Sequence, residues 1–100
     1  MAAKKSKTSS QAEKTLKILY KQLSGKLTEK DEAIPPVIIK GQGSMWAYDP
    51  FSKIMVNIER GSIVYVLEKE YDSQGRTLIY CTNSDIICIE HEEIEEIGFN

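Results

Sequence analysis

The stretch Arg60–Asp72, RGSIVYVLEKEYD, decides the fold because it has the length and residue types of a long β-strand between two turns. Within the predicted strand, SIVYVLEKE (62–70), the first half is apolar on both faces and the second half is polar on one face. The alternating sets are Ile63, Tyr65 and Leu67 on one face and Val64, Val66 and Glu68 on the other. This pattern predicts a strand that begins in the core and bends out over an edge, as long strands do in small barrels.

Shorter runs of the same kind lie on both sides of this strand, each followed by residues typical of turns. VIIK precedes GQGS, MWAY precedes DPFS, and KIMVNI precedes ERGS; after the long strand, RTLIYCT precedes NSD and IICIE precedes HEE. Closely spaced short strands with tight turns are typical of a small barrel or sandwich. Residues 37–100 are therefore predicted to form one mainly β domain of five or six strands.

The first third of the chain has a different pattern. Residues 1–9 are small, polar and basic, which predicts a disordered tail. From residue 10 the sequence SQAE has the form of a capping box, and apolar residues then recur at helical spacing: Ala12, Leu16, Leu19, Tyr20, Leu23 and Leu27. An amphipathic helix is predicted over residues 10–25, with Gly25 as its C-terminal glycine, followed by a linker over 26–36 that ends in two prolines.

An isolated helix of this length is marginal in water, so its apolar stripe must pack against something. Two interpretations stay open. The helix packs across the open end of the barrel as part of one core, which a small domain favours because it needs the buried area, or it joins another molecule.

From Trp46 onward the order of motifs resembles a Src-homology-3 domain. AYDPF is similar to the tyrosine-aspartate segment that opens such domains, IERGSIVYVLEKEYD to their acidic turn and long strand, and IEHEEIEEI to their closing segment. The resemblance implies a Src-homology-3-like barrel. It does not extend to the aromatic groove with which the family holds proline-rich helices: Arg76 and Thr77 stand at the family's tryptophan, Glu90 at its proline and Glu93 at its tyrosine, and Tyr48 alone matches.

Three of the eight aromatic residues fall within six positions, in SMWAYDPFSK. Trp46 and Tyr48 share one face of a strand, and Asp49 and Pro50 turn the chain before Phe51. Tryptophan and tyrosine are enriched among interface hot spots. We therefore predict a protein-binding site composed of Trp46, Tyr48, Phe51, Glu90 and Glu93, whose ligand is a basic or mixed surface rather than a conventional proline-rich peptide.

Composition limits the other classes of function. One hundred residues with 41% apolar and 28% charged side chains suit one soluble domain. Neither a membrane-spanning run nor a signal-peptide core is present in the sequence, which predicts a cytoplasmic protein. Cys81 and Cys88 are expected to be reduced, although they flank a predicted turn and a cross-strand disulfide stays open as an alternative.

No catalytic, metal-binding or cofactor-binding constellation emerges from the residues. Neighbours in the HEEIEE segment point to opposite faces of an extended chain, so we interpret His91 and its glutamates as a solvated acidic edge rather than a zinc site. GQGS lacks the lysine and the following helix of a phosphate-binding loop. We expect no enzyme, no cofactor and no small-molecule substrate.

Charge is segregated along the chain. Residues 1–30 carry eight lysines and two glutamates, whereas residues 31–100 carry five basic and thirteen acidic side chains. Surfaces of opposite charge favour assembly with other proteins or with copies of the same chain. The leading hypothesis is a non-catalytic interaction or structural assembly module, of a type that recurs among phage and bacterial accessory proteins. The alternative is a nucleic-acid-binding protein that uses a lysine-rich arm, with these residues as contacts: Lys4, Lys5, Lys7, Lys14, Lys17 and Lys21.

Overall fold

The computed structural model describes residues 2–97, with side chains from residue 11 onward. Within that range the chain forms one α-helix, seven β-strands and one turn of 3-10 helix. In chain order these are α1 Ala2–Leu23, β1 Val37–Ile39, β2 Ser44–Asp49, β3 Ile54–Glu59, β4 Ile63–Glu68, β5 Thr77–Cys81, β6 Ile86–Ile89, the 3-10 turn His91–Glu93 and β7 Ile94–Glu96. The prediction of a mainly β chain with one N-terminal helix is confirmed.

All seven strands of the described chain belong to one open antiparallel sheet, in the order β3-β2-β6-β5-β4-β1-β7. Six of the seven correspond to the runs identified in the sequence. The additional strand is β7, which pairs with β1 through Ile39 and Ile94. Its sequence, IEE, is short and acidic, so neither strand propensity nor alternation distinguishes it from a loop.

The sheet curls so that one of its faces, called the inner face, is enclosed by the sheet itself. Apolar side chains from strands at both ends of the strand order meet there in a single cluster. Its buried members are Val37, Ile39, Ala47, Ile58, Val64, Ile79, Cys81, Ile87 and Ile89. Because β3 and β7 lie at opposite ends of the sheet and both contribute to this cluster, the sheet must be strongly curled.

The opposite face, called the outer face, carries a second cluster beneath the helix. Ala12 and Leu19 of α1 pack on Leu67, Leu78 and other residues of β4–β6. All five residues of β5 are buried, because the inner cluster covers one face of this strand and α1 covers the other. The helix thus packs within the chain, but on the outside of the sheet and over a separate cluster, not across an open end as part of one core.

The ends of α1 differ in how well the sequence predicted them. At the C-terminus, Gly25 has φ 72° and the N–H of Lys26 donates to the carbonyl of Lys21 at 2.7 Å, which is the Schellman arrangement expected for a C-terminal glycine. At the N-terminus the helix begins at Ala2, earlier than residue 10. The segment predicted to be a disordered tail continues the helix, since alanine and lysine are good helix formers.

Two hydrogen bonds hold the linker against α1. The side-chain amide of Gln22 donates to the carbonyl of Ile34 at 3.0 Å, and the N–H of Ile34 donates to Oε1 of Gln22 at 2.7 Å. The linker therefore has a fixed path between α1 and β1.

In β4 the register with β5 shifts between Val66 and Glu68, which agrees with the bend predicted from the change in face polarity along that strand.

The two cysteines of the chain are free and buried. Cys81 belongs to the inner cluster and Cys88 to the outer cluster. Because the two side chains lie on opposite faces of the sheet, the cross-strand disulfide left open by the sequence is excluded by geometry.

Among the described residues, no helix combines the length and the apolar character needed to span a bilayer.

Candidate protein-binding surface

The β2–β3 hairpin is closed by a turn that Asp49 organises. Its Oδ1 accepts hydrogen bonds from the N–H groups of Phe51 and Ser52, both at 2.9 Å, and its carbonyl accepts one from Lys53 at 2.7 Å. Lys53 takes the left-handed conformation, with φ 62°. An aspartate that satisfies following backbone N–H groups is a common way to close a turn. The result is that Phe51 is presented at the tip of the hairpin with 62% of its surface exposed.

Cross-strand register places the other rings on the outer face. Trp46 lies opposite Asn57 and Tyr48 opposite Met55, while Ala47 between them points into the inner cluster. Trp46 is 63% exposed and Met55 53% exposed, whereas Tyr48 is half-buried. We name the outward-facing set Trp46, Tyr48, Phe51 and Met55 the hairpin surface.

Tyr48 is held in place by Arg76. The guanidinium carbon lies 5.7 Å from the centroid of the Tyr48 ring, which is cation–π geometry. Arg76 is itself fixed by Asp72: Nε donates to Oδ2 at 2.8 Å and the backbone N–H donates to Oδ1 at 2.9 Å. The loop between β4 and β5 therefore braces the hairpin surface from one side.

The titration of Asp72 reflects this arrangement. Partial burial alone raises the pKa of Asp72, but the hydrogen bonds and charge of Arg76, together with the N–H of Gln74, outweigh it. The pKa of Asp72 is held below its ordinary value of 3.8. The carboxylate is consequently charged at neutral pH and keeps Arg76 oriented over the ring.

A groove runs from the hairpin tip to the helix. Phe51 lies on one side and Ala12 and Leu16 of α1 on the other. The floor is formed by Leu67, Leu78 and Ile86, and the cavity has a volume of about 260 Å³. The hairpin surface is therefore not a flat patch, since its Phe51 end borders an apolar depression that can take a side chain of a partner.

The two glutamates predicted for the binding site lie elsewhere. Oε1 of Glu93 accepts a hydrogen bond from Arg60 at 2.8 Å, and its carbonyl accepts one from the N–H of Lys40 at 2.8 Å. Glu93 thus joins the 3-10 turn to the base of the hairpin, and its carboxylate is engaged there. Glu90 is exposed and precedes this turn. The structure groups Trp46, Tyr48 and Phe51 on the hairpin but does not add the glutamates to them.

The predicted acidic edge also has a structural anchor. Nδ1 of His91 lies 3.0 Å from the hydroxyl of Thr77, which is fully buried in β5. His91 therefore helps to fix the 3-10 turn on the sheet. Within residues 11–97, where side chains are described, no group of three or more His, Cys, Asp and Glu side chains has the arrangement of a metal site.

The lysines proposed for nucleic-acid binding are only partly described. Lys14 and Lys17 are exposed on α1, and Lys21 lies 3.6 Å from the carboxylate of Asp31. The backbone of Lys4, Lys5 and Lys7 belongs to α1, and their side chains lie outside the described part of the chain.

Sequence reasoning missed two parts of the hairpin surface. The alternation of side chains along β3 predicts that Met55 points to one face of the strand, as Trp46 does in β2. Only the register of the hairpin shows that Met55 lies next to Tyr48. The sequence identifies Arg76 only as a departure from the aromatic groove of Src-homology-3 domains, and nothing in it indicates that Arg76 stacks on Tyr48. Contacts between a loop and a strand this far apart in sequence leave no periodic signal.

Comparison of the chain with protein-family models, curated proteins and solved structures gave no match. The functional interpretation depends on the chain's own geometry.

Proposed function

We propose that the protein is a non-catalytic protein–protein interaction or structural assembly module of the cytoplasm, and that the hairpin surface is its binding site. The observation that carries this proposal is the distribution of exposed apolar side chains. Among the described residues seven large hydrophobic side chains are exposed, and four of them, Trp46, Phe51, Ile54 and Met55, lie on the β2–β3 hairpin. Three of these four, Trp46, Phe51 and Met55, belong to the hairpin surface. Apolar exposure concentrated in one place marks an interaction surface.

The chemistry of the surface supports the same proposal. An exposed tryptophan and an exposed phenylalanine on one hairpin contribute large apolar areas with few rotatable bonds, which is why such residues dominate binding energy at interfaces. Tyr48 adds a ring already ordered by Arg76. A partner therefore meets a surface that loses little conformational entropy on binding.

The chemistry of the partner follows from charge. Residues 31–100 carry thirteen acidic and five basic side chains, so a basic or mixed surface suits the domain better than an acidic one. The aromatic groove for proline-rich peptides is not reproduced, since Glu90 and Glu93 stand in its place and Glu93 is paired with Arg60. The proposed partner is a folded protein or a copy of this chain.

The same proposal includes a Src-homology-3-like barrel as the scaffold. Three features support it: the inner cluster draws on both ends of the sheet, a 3-10 turn separates the last two strands, and β1 pairs with both β4 and β7. The ion pair between Arg60 and Glu93, 2.8 Å long, is a fourth feature, because it joins the residue after β3 to the residue before β7.

Affinity capture tests the proposed function. The full chain and a Trp46→Ala/Phe51→Ala variant are used as baits in parallel, and captured proteins, including an added untagged copy, are quantified. Both replaced rings are exposed, so the fold should be retained, at a cost within about 0.5 kcal/mol each. The matched control is Leu23→Ala, which removes an exposed side chain of α1. Loss of captured protein with the first variant and not with the control is expected; equal capture by all three baits would refute the proposal.

Nucleic-acid binding is the second candidate, favoured by the exposure of Lys14 and Lys17 on α1. Fluorescence anisotropy with labelled oligonucleotides across salt concentration compares the full chain with Lys14→Gln/Lys17→Gln. Exposed Lys26 and Lys30 provide the control pair. If α1 binds phosphates, the first variant lowers the salt dependence by about one unit of slope for each lost contact, and the control does not.

A further inference from the structure

The β3 strand has a free edge. It is the terminal strand of the sheet and pairs only with β2 among the described residues. The N–H of Arg60 donates to the carbonyl of Gly43 at 2.8 Å, and hydrogen bonds alternate along an antiparallel pair. Counting back from Arg60 in steps of two, Ile58, Val56 and Ile54 bond to β2. The residues between them, Met55, Asn57 and Glu59, therefore direct their backbone groups away from β2, toward the free edge.

This edge lacks the features that usually protect one. Ile54 is 55% exposed and Met55 53% exposed, and the strand contains no proline and no charged residue before Glu59. Natural edge strands are commonly blocked by charges, prolines or bulges because free backbone groups otherwise recruit another strand. A six-residue edge strand with four apolar residues is suited to pairing with a further strand.

A cavity lies beside the C-terminal half of the same strand. Its apolar floor consists of Ile39, Ile58 and Cys81, all of the inner cluster, and its volume is about 410 Å³. Asn57 and Glu59 stand at its polar rim. The cavity thus opens next to the free edge, where a side chain of an added strand can enter.

We infer that the free edge of β3 pairs with the β3 strand of a second copy, antiparallel and centred on Val56. A two-fold axis perpendicular to the sheet places the inner faces of both copies on the same side. The inner-face residues of β3, which have even numbers, must therefore lie opposite inner-face residues of the second copy. Centred on Val56, the register places Ile54 opposite Ile58 of the second copy and Met55 opposite Asn57 of the second copy. Lys53 then lies beside Glu59 of the second copy, and symmetry produces this charge pair twice.

The register also accounts for the cavity and for the exposed Ile54. Ile54 belongs to the inner-face set with Val56 and Ile58, yet it is exposed in the single chain. Opposite Ile58 of the second copy, it enters that copy's cavity. On the outer face Met55 comes next to Asn57 of the second copy, so the two hairpin surfaces form one continuous row. This inference rests on the proposed function, because it names a second copy as a partner of the hairpin.

Sedimentation velocity of the full chain over a concentration series tests the inference, with matched isoleucine variants. Ile54→Ala removes the side chain that enters the cavity, whereas Ile63→Ala removes an isoleucine of similar exposure, 46%, from β4. A dimer with a dissociation constant on the order of micromolar is expected for the natural chain, weakened roughly tenfold or more by Ile54→Ala and unchanged by Ile63→Ala. Asn57→Pro blocks the edge itself, since proline is tolerated where the N–H faces solvent, and should abolish the dimer.

The charge pair gives the register a separate test. Lys53→Glu should weaken the dimer several-fold, and the double variant Lys53→Glu/Glu59→Lys should restore it, because the swap rebuilds both pairs. A chain that remains monomeric at about 100 μM, or a dimer equally sensitive to Ile54→Ala and Ile63→Ala, would overturn the self-pairing. If such a monomer still captures other proteins through Trp46 and Phe51, the proposed function stands without it.

Discussion

The guanidinium of Arg76 lies over the ring of Tyr48, 5.7 Å from its centroid, and the same guanidinium donates to Asp72 at 2.8 Å. One side chain thereby links the β4–β5 loop to the outward face of the hairpin. Within the hairpin surface the link acts on Tyr48, which is half-buried, whereas the other members are exposed.

Replacement of Arg76 by alanine should lower the free energy of unfolding by about 1–2 kcal/mol, since it removes the cation–π contact and leaves Asp72 without its charged partner. Urea unfolding measures the change. Arg76→Lys is the control, and it should recover part of the loss because it retains the charge without the planar group. Equal stability of the natural chain and Arg76→Ala would contradict a bracing role for Arg76.

Acidification should weaken the same link. The pKa of Asp72 is lower in the folded chain than its ordinary value of 3.8, so its contribution to stability is complete above about pH 4 and is lost as the pH falls through the folded-state value. Asp72→Asn should be less stable than the natural chain at pH 7, and the difference should shrink as the pH falls below about 4. Urea titrations at several pH values measure it. A difference that stays constant over this range would show that the charge of Asp72 is not involved.

The helix should stabilise the sheet through Leu19, which is fully buried in the outer cluster. Leu19→Ala should cost about 2–5 kcal/mol, the usual range for a buried leucine. Leu23, in the same helix but 52% exposed, provides the control, and Leu23→Ala should cost less than about 0.5 kcal/mol. Thermal unfolding monitored by circular dichroism measures both. Similar losses for the two variants would mean that the helix does not pack on the sheet through Leu19.

Both cysteines should be inert in the native state. Burial, with a smaller contribution from Asp85, raises the pKa of Cys81 to about 11, and burial with a contribution from Asp72 raises that of Cys88 to about 11. At pH 8 few thiolates form, and a reagent cannot reach them without opening of the chain. A colorimetric thiol assay should detect no reaction in buffer and two thiols in denaturant. Rapid native reaction would contradict the burial of both side chains.

The sequence predicted strands well wherever an apolar run ended in turn residues, as at Asp49–Lys53 or Asp72–Gly75. It did not predict β7, whose three residues are held by pairing with β1 rather than by their own propensity. It also did not predict where the helix packs, because an apolar stripe fits either side of a curled sheet. Phe51, Ala12 and Leu16 line the same groove although they are distant in sequence, so no local pattern indicates it.

Amide chemical-shift mapping tests most directly whether the hairpin surface is the binding site. The isotope-labelled full chain is titrated with its unlabelled copy and, separately, with a protein recovered by affinity capture. We predict that shifts concentrate in residues 45–58, with Trp46, Phe51 and Met55 among the largest, and that within α1 they are confined to Ala12 and Leu16, which line the groove. Shifts confined to the lysine-bearing face of α1, with residues 45–58 unaffected in both titrations, would contradict the proposed binding site.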